Sequence, residues 1–425
     1  MRAELERRGL SRTIFFYVVR EALFAFLVTF IFFFSIFFIN QILFHAQQLL
    51  SKRAPFLEVV QLLFFSLPMV IALAAPFAAL TGVLMTVGRL SSDNEILVML
   101  SSGFSYRMVF LPSLLVGIAI SLLSFFANDV LLPAGMVQYY QIYRRIVLST
   151  PELELESNSV KRFKNTVLIT GQVSGRLIND IVILDHTSDG ERRLIMARNA
   201  ELKDGGRQGL SLDLNQAFIQ SSKEIARQDY DYASAGFLRY WVPQEEIMQS
   251  ISSTSASEMS SVDVLREIRA QEARLQDRLD SHYARTLAGA LSLESALREG
   301  PGQEGWNRRG NLSAVLDADR QSAEEITRDR SLLIWRTEFY KKFAIPFAAL
   351  FFIFLAVPLG LLSKKSGQAL GFFIGVLIAA LYYFLLMGGQ TLVQRLGYSP
   401  FWGIWFANAL IFSLGLTLSI FRFRR

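Results

Sequence analysis

Six long apolar runs alternate with polar stretches along this chain, at residues 22–39, 59–88, 108–127, 343–363, 366–391 and 399–421. Each approaches or exceeds the ~20 residues that an α-helix needs to cross about 30 Å of hydrocarbon. The pattern predicts six transmembrane helices in two groups of three, separated by a long polar segment.

Within that segment the period changes twice. From about 152 to 248, short runs such as Val167-Leu168-Ile169, Ile181-Val182-Ile183-Leu184, Leu194-Ile195-Met196-Ala197, Leu210-Ser211-Leu212-Asp213-Leu214 and Tyr240-Trp241-Val242 predict strands, with Ser188-Asp189-Gly190 and Asp204-Gly205-Gly206 as turns. Several short strands with no helix between them suggest an antiparallel sandwich or jelly roll. From about 258 the period is helical. Ser260 with Asp263 makes a capping-box-like start, and Leu265, Ile268, Leu275 and Leu279 follow at helical spacing. Gly300-Pro301-Gly302 breaks this helix, and a second, highly charged one from about Leu312 leads through Trp335 and Lys341-Lys342 toward the fourth apolar run. A solvated helical hairpin is the expectation.

The stretch from Leu67 to Gly103 organises the rest. An uncharged run broken only by Pro68 and Pro76 hands over, after Gly88, to Arg89-Leu90-Ser91-Ser92-Asp93-Asn94-Glu95 and then Ile96-Leu97-Val98-Met99-Leu100. This predicts a short helix outside the bilayer, spanning about 89–103, capped by Ser91 or Ser92. Asp93 and Glu95 would occupy its first turn, where the helix dipole favours negative charge, and Gly103 would stop it. An acidic start and an apolar side make such a helix a handle for a soluble partner. The third apolar run is expected to end near Asn128-Asp129. In the fifth, Gly367, Gly371 and Gly375 form two overlapping G-x-x-x-G spacings, a face that another helix can approach closely and a plausible movable joint.

Composition agrees with the membrane class: 52% of the 425 residues are hydrophobic, including 36 Phe. Lys and Arg in the short connections set the orientation. Arg2, Arg7, Arg8, Arg12, Arg89, Arg107, Lys364, Lys365, Arg422, Arg424 and Arg425 fall on one side, against Lys52, Arg53 and Arg395 on the other. Both termini are therefore expected in the cytoplasm and the middle segment outside. The first run is too long for a cleaved signal sequence and is read as an anchor. The net charge of +6 reflects the basic anchors and does not point to nucleic acid, and with no Cys there is no disulfide.

Several chemistries lack their residues. There is no G-x-x-x-x-G-K-[ST] phosphate loop, so the chain itself is not expected to hydrolyse ATP. Three widely spaced His and no Cys make a metal site improbable, and no catalytic constellation or cofactor motif stands out. The cores of the six runs hold no Asp, Glu, Lys, Arg or His, which argues against ion-coupled transport. Energy, if used, has to come from another polypeptide, and the helix after Gly88 is the place to receive it.

Leu67-Pro68, Gly88-Arg89-Leu90-Ser91 with Asp93 and Glu95, Ser102-Gly103, Asn128 with Leu132-Pro133, Glu338 to Pro346, Pro358-Leu359-Gly360 and the fifth-run glycines with Tyr382-Tyr383 carry a resemblance. In these blocks the chain resembles the LptF/LptG (YjgP/YjgQ) permeases of the lipopolysaccharide-export ABC transporter, over roughly 1–268 and 331–425. The resemblance implies an α-helical membrane protein with six transmembrane helices (3+3) and a large periplasmic β-jelly-roll-like domain inserted between helices 3 and 4. Read so, residues 1–128 hold the lead-in, three spans and coupling helix; 129–257 the β-domain; 258–338 a helical hairpin; and 339–425 the last three spans. The segment of about 270–330 departs from the family, which implies a shorter link there.

The resemblance further implies residence in the bacterial inner membrane and a set of partners. These are a cytoplasmic ABC ATPase dimer, a second homologous permease chain, periplasmic bridge proteins of similar β-fold, and lipopolysaccharide. Glu95, with Arg89 and Asp93 beside it, would carry the ATPase contact. Lys52, Arg53, Arg144, Arg145, Lys341 and Lys342, at the outer ends of the runs, would attract lipid phosphates, although simple interfacial anchoring explains Lys52 and Arg53 as well. A non-transporting scaffold that transmits motion from an ATPase is the alternative, and a membrane-anchored periplasmic enzyme a more distant one.

Overall fold

A computed structural model describes residues 2–50, 55–149, 157–162, 166–186, 191–204, 209–223, 230–243, 255–298, 330–362 and 367–423. Three long helices come first: α1 (Arg2–Leu50), α2 (Phe56–Ser92) and α4 (Arg107–Phe126), with the short α3 (Glu95–Ser101) after α2. A π-helical turn (Ala127–Leu131) joins α4 to α5 (Leu132–Ser149). Then follow β1 (Ser159–Arg162), β2 (Thr166–Thr170), β3 (Val173–Ser174), β4 (Leu177–His186), β5 (Glu191–Asp204), β6 (Gly209–Lys223) and β7 (Tyr230–Pro243). The chain closes with α6 (Ser261–Arg298), α7 (Arg330–Leu362), α8 (Gly367–Leu396) and α9 (Pro400–Phe423). Among the described residues, six stretches are long and apolar enough to cross a membrane: 11–43, 56–92, 107–146, 330–362, 367–396 and 400–421. They contain the first three predicted runs in full and the last three short of one terminal residue each, and extend most of them, because polar flanks continue the helices.

The chain divides into two compact units, residues 1–38, 68–133 and 256–425 in one and 39–67 and 134–255 in the other. In the helical unit α2 and α7 are central: 56% and 61% of their most apolar windows are buried, against 22% in α1 and 28% in α8. The outer faces of α1 and α8 are therefore left for lipid or another chain. Phe77 of α2 sits among Phe33, Phe37, Phe352 and Tyr382, and Ala78, Ala344, Ala348 and Ala356 let the backbones around it come close. The base of α6 packs on the start of α7 through Val264, Ile268 and Leu332, with Arg336 paired to Glu272 at 2.6 Å. Ser260 and Asp263 form the expected reciprocal cap of α6: the Asp263 amide donates to Ser260 Oγ, which donates to the Asp263 carboxylate.

The other unit holds an antiparallel sheet in the order β1-β2-β4-β5-β6-β7, with β3 extending β2 beside β4. The five runs expected as strands all lie in it. Among the described residues this is one meander-ordered sheet, where a sandwich or jelly roll has two. A crease explains how one sheet encloses a core. Asp180, Arg198, Gln216 and Gly236 stand in line across β4 to β7, each skipped in the pairing register, and Asp180 and Gln216 have left-handed φ of 58° and 55°. The inward face changes parity at this line: Ile178 to Ile181 and Ile183 in β4, Ala197 to Ala200 in β5, Leu214 to Ala217 in β6. Both sides of the crease thus contribute to a single buried cluster with Leu168, Leu202, Leu212 and Val242.

Candidate functional site: two polar clusters in the helical unit

The first cluster lies where α2 hands over to α3. The helix after Gly88 is shorter than the sequence suggests. α2 continues through Arg89 to Ser92, and neither Ser91 nor Ser92 caps α3. Ser92 Oγ donates back to Arg89 O at 3.0 Å, stabilising the last turn of α2. Asn94, with φ 58°, makes the reversal, so α3 begins at Glu95 and Asp93 stays exposed in the connecting turn. Of the two acids expected in the first turn, only Glu95 is there. Ile96 is buried, while Leu97 and Val98 are 63% and 61% exposed on the opposite side.

Glu95 is tied to α1. Tyr17 and Glu21, four residues apart on one face of α1, meet Arg89. Arg89 Nη2 lies 2.9 Å from Glu21 Oε2 and donates to the Tyr17 hydroxyl at 3.1 Å. Tyr17 OH is 3.0 and 3.2 Å from the two Glu95 carboxylate oxygens. An ionised carboxylate only accepts and a guanidinium only donates, so the direction is fixed: Arg89 to Tyr17 to Glu95. Arg20 reaches the other Glu21 oxygen at 4.0 Å, so Glu21 is flanked by two guanidiniums, while Glu95 is held by the neutral phenol and has no ion pair among the described residues. Arg89 Nε has no partner among the described residues, a spare donor in a half-buried site.

α2 also carries the contacts of the fifth-run glycines. A Cβ on Gly371 would lie 2.8 Å from Leu84 O, and one on Gly375 2.6 Å from Thr81 Oγ1, so α8 approaches α2 nearly backbone to backbone. Gly367 is different, opening α8 with φ 57° near Ser92 Oγ. On the opposite flank a Cβ on Gly82 would collide with the Phe26 backbone of α1 at 2.7 Å.

The second cluster lies at the other end of α4. The helix does not stop at Asn128-Asp129, as the polar pair suggests; the π-turn absorbs it and the helix resumes as α5. Asn128 and Lys342 of α7 clasp each other: Asn128 Nδ2 donates to Lys342 O at 3.3 Å, and Lys342 Nζ to Asn128 O at 3.5 Å and Ser257 O at 3.2 Å. Asp129 accepts from the Ser261 amide at 2.6 Å and from its hydroxyl at 3.0 Å, holding the first residue of α6.

Lys342 is thus only 2% exposed, where the sequence suggests a headgroup-level cation. Neighbouring Lys341 pairs with Glu338 at 2.9 Å. Both lysines line a cleft of about 170 Å³ with Asn128, Ser257, Tyr383 and Met387. Arg144 and Arg145 stand on α5, in the sheet-bearing unit. Lys52 and Arg53 lie outside the described residues.

The family described as lipopolysaccharide export system permease LptF/LptG matches residues 16–421, taking in both clusters, all six candidate spans nearly in full, and the sheet. The chain belongs to the LptF/LptG family. With its six apolar helices it is accordingly a multi-pass inner-membrane protein. An uncharacterized protein of Rickettsia prowazekii (strain Madrid E) is 24% identical over 199 residues, a stretch covering 46% of this chain and 52% of that protein. The chain therefore spans about half the length of this curated relative.

Tyr17, Glu21 and Ser261 do not stand out in the sequence, and Asp129 stands out there only as part of an expected helix end. Tyr17 and Glu95 are 78 positions apart and Asp129 and Ser261 are 132 apart, and no local pattern links such pairs.

Proposed function

We propose that this chain is a transmembrane permease subunit that extracts lipopolysaccharide or a related glycolipid from the inner membrane. A cytoplasmic ABC ATPase dimer drives it, and periplasmic bridge proteins with a similar β-fold receive the lipid. Both termini face the cytoplasm, the creased sheet faces the periplasm, and a second homologous permease completes the passage. The observation that carries this reading is α3. It presents Leu97 and Val98 to solvent beside Glu95, a carboxylate held by a phenol and without an ion pair among the described residues. Exposed apolar side chains next to a carboxylate with no cation of its own suit docking of a soluble protein that supplies one.

The Gly371–Gly375 face of α8 on α2 is the joint at which the bundle opens. The cleft lined by Lys341 and Lys342 lies on the lipid's route, and Arg144, Arg145, Lys52 and Arg53 add positive charge for its phosphates.

The test is purification of the intact complex with Glu95→Ala in place of the natural chain, followed by mass spectrometry of bound lipid. A charge-assisted contact contributes about 1–3 kcal/mol, so the ATPase should be recovered at roughly tenfold or greater loss while the chain stays folded and inserted. Undiminished ATPase recovery and export would remove Glu95 from the account.

A further inference from the structure

We infer that Tyr17 is a positioning residue that makes the foot of α1, α3 and the end of α2 move as one body. The inference rests on the reading of α3 as the point where a nucleotide-hydrolysing partner acts.

A seven-residue helix joined to α2 through a two-residue turn is weakly held by its own backbone. Apolar packing and a polar tie fix it here: Ile96 is buried, with Met99 and Leu100 packed against the same core, and the Arg89–Tyr17–Glu95 chain of hydrogen bonds holds its first residue. The second brings in a third element, because Tyr17 stands on α1 and its helical neighbour Glu21 is paired with the same Arg89. A push on α3 therefore reaches α1 directly through one phenolic oxygen, and reaches α2 through the connecting turn. Higher up, α1 and α2 are already in close contact: Gly82 lies against the Phe26 backbone, and Thr29 Oγ1 is 3.0 Å from Ala78 O. Without the Tyr17 hydroxyl, α3 would swing on its turn and part of its displacement would be lost before reaching α1.

The hydroxyl is suited to this because it both accepts and donates. Phenylalanine keeps the ring packing and removes only the tie, leaving the guanidinium paired with Glu21 and Glu95 free to face a partner.

The experiment uses the complete permease–ATPase complex in lipid nanodiscs with lipopolysaccharide, comparing the natural chain with Tyr17→Phe. Partner recovery, ATP hydrolysis and lipid released per ATP are measured on the same preparations. The expected result is unchanged partner recovery and continued hydrolysis, with lipid released per ATP falling about three- to tenfold, the factor one such hydrogen bond represents. An unchanged ratio overturns the inference, and so does loss of the partner, which would make Tyr17 part of the docking surface.

A second measurement needs no transport. The chain has no Cys, so spin labels at Phe16→Cys on α1, where the side chain is exposed, and Ser101→Cys on α3 report one distance. That distance should stay fixed between nucleotide states in the natural background and broaden with Tyr17→Phe. A natural-background distance that changes with nucleotide contradicts rigid coupling. If no nucleotide-hydrolysing protein copurifies with the natural chain, the reading of α3 fails. The distance in the isolated chain then decides the inference alone: broadening with Tyr17→Phe supports the tie, and an unchanged distribution removes it.

Discussion

The two polar clusters of the helical unit are built from similar residues and solve different problems. Near Asn128 the links end largely on backbone: Lys342 donates to the carbonyls of Asn128 and Ser257, and Asp129 holds the Ser261 amide. Backbone acceptors in packed helices cannot be exchanged for others without moving the helices, and Lys342 is closed off from water. Near Arg89 the links run between the tips of long side chains that are about a quarter exposed, and the donor Arg89 Nε is left over. Tips re-pair at the cost of a rotamer change. The Asn128 cluster is a fixed joint between the π-turn after α4, α6 and α7, and the Arg89 cluster is a connection that an incoming charge can remake.

The largest expected effect breaks the fixed joint. Asp129→Ala strands the Ser261 amide at the start of α6 and removes a negative charge close to Lys342, and should lower stability by about 2–3 kcal/mol. Thermal unfolding in detergent would show this as a lowered midpoint, and Asp129→Asn should recover part of it. If Glu95→Ala lowered the midpoint as much, the distinction between the clusters would fail.

Next comes the close approach of α8 to α2. Gly371→Ala puts a methyl group against Leu84 O, where backbone has to give way, and overpacking of this kind costs about 1–3 kcal/mol. Gly367→Ala, at the open start of α8, meets only Ser92 Oγ at 3.6 Å, so its cost is the backbone strain at φ 57°. Comparing the two midpoints separates packing from strain.

A smaller effect sits in the sheet, whose charged cluster serves as a control of fixed type. Asp213, nearly buried between the half-exposed Arg239 and Lys203, is held by hydrogen bonds from Arg239 and then Lys203, which lower its pKa to about 2. A lowered folded-state pKa gives stability that is fully present above the unfolded value near 4 and is lost as pH falls toward 2. Asp213→Asn should lower stability by about 1–2 kcal/mol at neutral pH, since both partners can turn to water, and its difference from the natural chain should shrink below pH 4. Denaturant titrations at pH 7 and pH 3 would check both.

The smallest equilibrium effect is expected from Tyr17→Phe, about 0.5–1.5 kcal/mol at most, because the ring stays packed and the freed groups reach water. Its consequence should be in coupling, not in stability.

What was legible in the sequence follows from the range of the interaction. The six spans, the five strand-like runs and the Ser260–Asp263 cap depend on neighbours within one element, and the apolar period or a spacing of three residues records them. The false cap at Ser91 or Ser92 shows the limit of the same logic. A serine before an acidic turn favours a helix start, but Ser92 instead bonds to the carbonyl three residues back and prolongs α2. The crease was illegible because, although Asp180 tolerates left-handed backbone, Gln216 does not announce it, and their place in line across the sheet decides it. Single members of each cluster stood in the sequence, Arg89 and Glu95 in one and Asn128, Lys341 and Lys342 in the other, but not the partners that hold them. Tyr17 and Glu21 lie on α1, where nothing in the local pattern says which residue of α2 or α3 they face.

The central claim is that force enters at α3. A photoreactive side chain placed at Val98, which faces solvent beside Glu95, tests it in living cells. The account predicts an adduct with a nucleotide-hydrolysing subunit that falls away when Glu95→Ala is added. An exporting complex that gives no adduct at Val98 or Leu97 would contradict it.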